Sequence, residues 1–200
     1  MGRQAPTQAR GKVAERNIVN AAQVIFAKQG YAGTRVADIV ALAGSSTGNF
    51  YYRFKNKEAL FDFMLADFLS LARHTVSQMP GHADSVEDLV LWMITHNAQV
   101  LEQNRGFYRA VNEVSIRNPE TWQKLRDLTR EIGDAVIIKM VPFEQQISAL
   151  DWKKSVYEMI ELTTGYMANQ AVHHMDSKLD SKANIDLHFR ASMGILGIYP

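Results

Sequence analysis

A short segment, residues 47–53, carries polar and aromatic side chains at a spacing suited to contacting another surface. If it is helical and Phe50 points inward, the 100° step per residue places Gly48 and Tyr52 on the outer side. Asn49 lies beside them, and its amide offers the donor and acceptor that can bind an adenine edge bidentately. Tyrosine hydroxyls suit phosphate oxygens, and a missing side chain permits close backbone approach. The segment therefore predicts contact with a nucleic acid, with packing tyrosines as the alternative.

Charge is unevenly distributed along the chain. Residues 1–60 hold nine Lys/Arg and three Asp/Glu, a net charge of +6, whereas the remaining 140 residues carry a net charge of −5. A basic block favours a polyanionic partner, and the alternative is an ordinary solvated surface. Lys57 stands at the predicted start of a helix, where unsatisfied backbone N–H groups also favour an anion.

Apolar residues recur at helical spacing throughout the chain. Thr34, Ser46 and Asn56 are suited to cap helix N-termini, and Gly30 and Gly44 are suited to end helices. The last helix is predicted to begin at Asn184 as its N-cap. The predicted helices cover residues 14–29, 34–43, 47–53, 57 to before Pro80, 86–104, 107–116, 119–140, 150–175 and 184–198.

The second and third predicted helices are short and joined by a tight, glycine-containing turn, which is the helix-turn-helix arrangement. The first two helices form a platform from which the third can enter a major groove about 12 Å wide. We therefore predict an all-α fold of about nine helices. Residues 1–56 would form a three-helix DNA-binding domain with an N-terminal arm, and residues 57–200 a helical ligand-binding and dimerisation bundle.

The stretch Gly30–Leu60 resembles the DNA-binding region of tetracycline-repressor (TetR) family regulators, and the resemblance covers about residues 12–66. It implies a bacterial, dimeric, ligand-responsive transcriptional repressor. The matching elements are Gly30-Tyr31, Asp38-Ile39, Ala43-Gly44, Ser46-x-Gly48, Phe50-Tyr51, Phe54 and Lys57-Glu58-Ala59-Leu60. In that family the operator is met by positions matching Thr47, Gly48, Asn49, Tyr51, Tyr52 and Lys57.

Two positions depart from the family pattern. Ser45 stands where an apolar turn residue is common, which predicts looser packing there. A capping box from Thr34 would need an acid at Ala37, so we expect the neighbouring Arg35 to reach a phosphate instead. The predicted DNA-binding residues are Thr34, Arg35, Ser46, Thr47, Gly48, Asn49, Tyr51, Tyr52 and Lys57. An N-terminal arm with Arg3, Arg10 and Lys12 would follow the DNA backbone or the minor groove, or remain a solvated tail.

The last two helices are apolar over more than one face, and a surface helix needs only one apolar stripe. We therefore predict a homodimer through these two helices, with a large monomeric core as the alternative. The stripes of the first helix are Val156, Ile160, Thr163, Met167, Gln170 and Ala171, and Trp152, Met159, Leu162, Tyr166 and His173. Those of the second are Ile185, Phe189, Met193 and Leu196, and Leu187, Ala191, Ile195 and Ile198.

A second set of residues is suited to line a cavity for a small apolar ligand, since such sites combine apolar walls with a few polar groups. The same residues at helical spacing are also typical of a plain core. The candidates are Trp92, Met93, His96, Phe107, Tyr108, Met140, Tyr166, Met167 and Gln170. His173 and His174 point about 100° apart on a helix and would make a poor metal chelate.

Composition and motifs exclude several other classes of protein. The chain has no cysteine, so disulfides and thiolate chemistry are ruled out. The sequence has no hydrolase motif, no di-iron motif and no P-loop. We therefore expect that the protein is not an enzyme and that it binds no metal or cofactor. We also expect no membrane span and a cytoplasmic location. The leading hypothesis is a repressor released from a palindromic double-stranded DNA operator by a small molecule. The alternative is a DNA-bound adaptor for a protein partner.

Overall fold

Helices form all of the regular secondary structure in the residues that the computed structural model describes, 5–174 and 176–198, with side chains described from residue 11 onward. This confirms the predicted all-α class. The α-helices of this part of the chain are α1 (Ala5–Gln29), α2 (Val36–Leu42), α3 (Thr47–Arg53), α4 (Lys57–Ser77), α5 (Val86–Gln103), α6 (Arg105–Ser115), α7 (Pro119–Met140), α8 (Trp152–His173) and α9 (Lys182–Ile195), with a 3-10 helix, Val141–Gln146, after α7.

The predicted boundaries of α3 and α7 are confirmed, but two N-caps differ from the sequence prediction. Thr34 does not cap α2, because Arg35 occupies the N-cap position. Asn184 does not cap α9 either, since the helix begins at Lys182 and the Ser181 hydroxyl accepts a hydrogen bond from the Asn184 backbone N–H at 3.4 Å. The Asn184 side chain instead donates to the Leu179 carbonyl at 2.8 Å.

The chain divides into two compact units. The first consists of residues 1–68 together with 104–118, and the second of residues 69–103 together with 119–200. The first unit therefore contains α6 in addition to α1–α3, although α6 lies far along the chain from them. The predicted boundary at residue 56 between a DNA-binding domain and a ligand-binding and dimerisation bundle stays a prediction.

Within the first unit, α6 is joined to α1 by the side-chain amide of Gln23. Its Oε1 accepts a hydrogen bond from the Phe107 backbone N–H at 2.7 Å, and its Nε2 donates to Asn104 Oδ1 at 2.9 Å. The first N–H groups of a helix have no partner within that helix. Gln23 therefore satisfies an otherwise open donor of α6 while holding the two helices together.

The C-terminal half of α6 contacts the end of α1 and the connection between α1 and α2. Arg109 donates to the Ala27 carbonyl at 2.7 Å, which is one of the last carbonyls of α1 and has no partner within the helix. Glu113 accepts from the Ala32 backbone N–H at 2.7 Å. The backbones also approach closely, because a Cβ on Gly106 would lie 1.9 Å from the Gln23 carbonyl oxygen.

Aromatic rings fill the core of the first unit. Phe107 stacks on Phe68 with ring centroids 4.9 Å apart and on Phe61 at 5.9 Å. Tyr31 contacts Phe61 and Phe26 at 5.6 and 5.5 Å. Each such pair contributes about 0.5–1.5 kcal/mol beyond the apolar area it buries. The predicted inner stripe of α1 is confirmed as buried: Ile18, Ala21, Ala22, Ile25 and Phe26.

In the second unit, one predicted stripe of α8 is buried and the other is not continuous. The second stripe includes Met159, which is fully buried, whereas Leu162 and Tyr166 are 61% and 53% exposed. On α9, Leu187 is 43% exposed. Apolar surface on the last two helices thus remains uncovered in the single chain. The buried members of the first α8 stripe are Val156, Ile160, Thr163, Met167 and Ala171.

No helix in the described part of the chain is both long enough and apolar enough to cross a lipid bilayer.

Candidate nucleic-acid interface

The turn between α2 and α3 is built from backbone hydrogen bonds around Gly44. The Gly44 N–H donates to the Ala41 carbonyl at 3.2 Å, and the Ser45 N–H donates to the Val40 carbonyl at 3.1 Å. These two bonds form the Schellman motif that commonly ends helices, and it requires the positive φ of +59° that Gly44 adopts. The turn therefore leaves α2 in one fixed direction.

The start of α3 is fixed by Ser46, as the sequence predicts. Its hydroxyl accepts a hydrogen bond from the Asn49 backbone N–H at 3.1 Å. Replacing such a cap by alanine typically costs about 1 kcal/mol. Because the Schellman turn and this N-cap follow one another directly, α2 and α3 are held at a defined mutual angle.

The inner face of α3 anchors the helix, and its outer face is open. Phe50 is fully buried, which confirms its predicted inward orientation. Tyr51 is 53% exposed and Tyr52 is 85% exposed, so Tyr52 in particular is not a packing residue. Thr47 and Gly48 are also exposed, and a Cβ added at Gly48 would meet nothing within 4 Å. The helix thus offers an unobstructed outer surface.

The Asn49 amide is held by the turn beneath it. Its Nδ2 donates to the Ser45 hydroxyl at 2.8 Å, and both residues are half-buried. This contact was not anticipated from the sequence, which predicted only looser packing at Ser45. A Ser and an Asn four residues apart across a helix start are the only signal that could have suggested it.

Of the predicted contacts before α2, Arg35 is available to another molecule and the Thr34 side chain is not. Thr34 is 2% exposed, and its hydroxyl donates to the Gly30 carbonyl at 2.6 Å, so it completes the end of α1 instead. The Arg35 side chain is 81% exposed and pairs with Asp38 at 3.0 Å. That hydrogen-bonded pair lowers the pKa of the Asp38 carboxyl and raises the pKa of the Arg35 guanidinium.

Lys57 is placed under the connection between α1 and α2. Its ammonium group donates to the carbonyls of Tyr31 and Thr34 at 2.6 and 2.7 Å and lies 4.3 Å from the centre of the Tyr31 ring. Desolvation lowers the pKa of Lys57. Two of the three ammonium N–H groups are thus used within the protein. These two hydrogen bonds were not predicted from the sequence, in which Lys57 was assigned to an anion.

Arg53 is a further residue whose role the sequence did not reveal. Its Nη2 donates to the Gly11 carbonyl at 2.9 Å, and its guanidinium lies 5.7 Å from the centre of the Tyr52 ring. Arg53 therefore links the end of α3 to the early part of α1. Of the predicted basic arm, Lys12 is exposed on α1, whereas Arg3 and the side chain of Arg10 lie outside the described residues.

The residues predicted to line a ligand cavity fall into the two compact units. Phe107 and Tyr108 are buried in the aromatic core of the first unit, and the other seven belong to the second. There, Met140 and Met167 are fully buried, whereas Tyr166 is largely exposed. Trp92 and Met93 are half-buried, and Trp92 stacks on His96 with ring centroids 4.0 Å apart.

Gln170 is the polar member of this set that the second unit leaves partly unsatisfied. Its Nε2 donates to Asn184 Oδ1 at 3.1 Å, but its buried Oε1 has no hydrogen-bond donor within the described structure. Elsewhere in the second unit, a cavity of about 80 Å³ lies beside Pro80, His82 and Phe143. None of the predicted ligand-binding residues lines that cavity.

Comparison with known proteins places the helix-turn-helix region in a family. Residues 18–64, which contain α2 and α3, match the family model described as bacterial regulatory proteins of the tetR family. This part of the chain matches the TetR family. The resemblance inferred from the sequence is thereby confirmed.

Curated proteins similar to this chain are HTH-type transcriptional regulators. It is 50% identical to QacR of Staphylococcus aureus over 44 residues, which are 22% of this chain and 23% of QacR. It is 28% identical to YdgC of Bacillus subtilis, named as an uncharacterized regulator, over 130 residues covering 60% of this chain and 63% of YdgC. The matched segments thus span less than two thirds of either relative.

The fold is shared over almost the whole chain. A TetR-family bacterial regulatory protein from Rhodococcus RHA1 superposes with a TM-score of 0.71, covering 94% of this chain and 98% of that one. The sequence identity is 18%, so this likeness concerns the fold.

The Lys57 contacts generate a prediction about stability. Lys57→Met keeps the aliphatic stem but leaves the carbonyls of Tyr31 and Thr34 without their donor. We expect the free energy of unfolding to fall by about 1–3 kcal/mol, measured by urea denaturation. Lys55→Met, at an exposed position two residues away, is the control and should change stability by less than about 0.5 kcal/mol. Equal stability of the two variants would contradict this role of Lys57.

Proposed function

We propose that this chain regulates transcription by binding a double-stranded DNA operator, with α3 entering the major groove. The observation that carries the proposal is the outer face of α3, which is exposed around Gly48 and Tyr52 while Phe50 anchors the opposite side. A recognition helix needs this combination, because it must enter the groove without losing its attachment to the platform behind it.

The residues around α3 divide by chemistry into base-reading and phosphate-binding groups. We assign base contact to Asn49 and Thr47, whose short polar side chains suit hydrogen bonds to base edges. We assign phosphate or sugar contact to Tyr51, Tyr52, Ser46 and the exposed Arg35. Gly48 allows the backbone of α3 to approach the DNA closely. Lys57 keeps one N–H for a phosphate. The Thr34 side chain is left out of the proposal because it is buried.

We further propose that two copies of the chain associate through α8 and α9. The exposed apolar side chains Leu162 and Tyr166 on α8 and Leu187 on α9 support this, since a dimer would remove them from water. A two-fold dimer would present two α3 helices to half-sites about 34–36 Å apart on a near-palindromic operator.

The finer proposal is that a small apolar molecule releases the protein from its operator and thereby relieves repression. The buried Oε1 of Gln170 supports a ligand in the second unit, because buried polar atoms are normally hydrogen-bonded. The candidate lining there is Trp92, Met93, His96, Met140, Met167 and Gln170. A ligand can shift the equilibrium only by its difference in affinity between the two states, tenfold for about 1.4 kcal/mol.

The DNA assignment is tested by selecting bound fragments from a bacterial genome and measuring affinity for the selected site at several salt concentrations. Asn49→Ala should reduce discrimination at one base pair by about 1–3 kcal/mol while sparing affinity for random DNA. Lys57→Met should flatten the slope of log affinity against log salt by about one unit. The exposed amide variant Gln145→Ala is the control and should change neither quantity.

No fragment preference in dilute buffer would contradict the operator proposal. An equal loss for Asn49→Ala on selected and random DNA would remove Asn49 from base reading. An unchanged salt slope for Lys57→Met would restrict that residue to its contacts within the protein.

The dimer is tested by Leu187→Arg, which places a charge in the proposed interface. Sedimentation should show a dimer for the unmodified chain and a monomer for this variant, because an unpaired charge is costly to bury. Leu150→Arg is the control, since Leu150 is fully exposed and lies outside α8 and α9. A monomeric unmodified chain, or dissociation caused equally by both variants, would contradict the interface.

Ligand release is tested by titrating the operator complex with small apolar molecules of different shape. A releasing compound should weaken operator affinity at least tenfold, and Gln170→Met should blunt that response without changing affinity in its absence. A flat response to every compound would favour the adaptor function, in which a protein partner takes the place of the small molecule.

A further inference from the structure

The hydrogen bond between Ser45 and Asn49 joins the turn of the helix-turn-helix to a residue on the reading helix. Asn49 Nδ2 lies 2.8 Å from the Ser45 hydroxyl oxygen and donates to it. Both side chains are half-buried, so water competes for this bond less than at a fully exposed site. The contact restricts rotation of the amide about its last side-chain torsion, which is otherwise broad.

Ser45 is a rigid support because its own backbone is fixed. Its N–H donates to the Val40 carbonyl at 3.1 Å, as part of the Schellman turn around Gly44. The next residue, Ser46, caps α3 by accepting the Asn49 backbone N–H at 3.1 Å. Asn49 is thus held through its backbone by one serine and through its side chain by the other.

The hydrogen-bonding capacity of the amide shows what this arrangement leaves free. An asparagine side chain has two N–H donors and one carbonyl oxygen. Ser45 takes one donor, which leaves one N–H and the carbonyl. Those two groups form the donor and acceptor pair that binds adenine N7 and N6 together in the major groove.

We propose that Ser45 is a positioning residue for specificity: its hydroxyl orients the Asn49 amide so that the protein prefers adenine at one operator position. The inference rests on the proposed function, because it requires α3 to read DNA. It adds a residue that touches no base but determines how well another residue reads one.

At this position serine replaces an apolar packing contact by a hydrogen bond. In a Schellman motif the residue after the positive-φ glycine commonly makes an apolar contact with the helix it ends, and here that residue is Ser45. A purely structural role would therefore be served better by an apolar side chain. Base discrimination should consequently fall when Ser45 becomes valine, whereas stability should stay the same or rise.

The experiment measures binding of the full-length protein to the selected operator and to every single-base-pair variant of it. Asn49→Ala first identifies the base pair that Asn49 reads. At that pair, Ser45→Ala should lower the preference for adenine about two- to tenfold, the effect of one ordinary hydrogen bond. Ser45→Thr keeps the hydroxyl and should retain the preference. The double variant Ser45→Ala with Asn49→Ala should discriminate no less than Asn49→Ala alone.

Ser45→Val separates positioning from folding. Its melting temperature should equal or exceed that of the unmodified chain, while its preference at the same base pair falls as in Ser45→Ala. Full preference in Ser45→Ala at a pair where Asn49→Ala abolishes it would overturn the inference and leave the operator function intact. A general loss of affinity at every pair, in step with a lower melting temperature, would also overturn it. If the unmodified chain prefers no fragment, the proposed function itself fails.

Discussion

The orientation of α3 depends on how backbone hydrogen bonds are satisfied in the four residues that separate it from α2. Each of these helices has seven residues. A helix of that length is not stable alone, because the free energy lost in nucleation exceeds what its few hydrogen bonds contribute. The Schellman bonds around Gly44 and the Ser46 cap therefore act together with burial of Phe50, which contributes about 1.5–3 kcal/mol. Without these three interactions the outward-facing residues of α3 would not be held on one face of a helix.

The connection between α1 and α2 also has backbone groups that need hydrogen-bond partners. Side chains from helices distant in the sequence provide them. Its carbonyls at Tyr31 and Thr34 accept from Lys57 of α4, and its Ala32 N–H donates to Glu113 of α6. The Tyr31 and Thr34 carbonyls are partly buried and need partners, and Lys57 supplies them. Helices that follow α3 along the chain therefore support the connection that leads into α2. Residues 104–118, which include Glu113, belong to the same compact unit as this connection.

The sequence predicted the helices well because their signals are local. Apolar spacing located α1 and its buried stripe, and the start at Pro119 and stop before Pro142 bounded α7. It failed at Thr34 because a hydroxyl beside a helix start has two uses, and here the Gly30 carbonyl takes it. The Gln23 contact with Phe107 joins residues 84 positions apart, and no local pattern in one sequence encodes such a pair. The outer residues of α3 were predictable because a single buried residue, Phe50, fixes the phase of the whole helix.

Gly48 shows why stability alone does not explain this part of the chain. Glycine inside a helix costs about 0.5–1 kcal/mol relative to alanine, and α3 is already short. Packing does not require it, since an added Cβ would meet nothing within 4 Å. The backbone does not require it either, because the positive-φ glycines of the described residues are Gly30, Gly44 and Gly197. On the proposed function, the reason is that DNA lies close to the backbone of α3 at this position. The glycine then lowers the stability of α3 but permits that close approach.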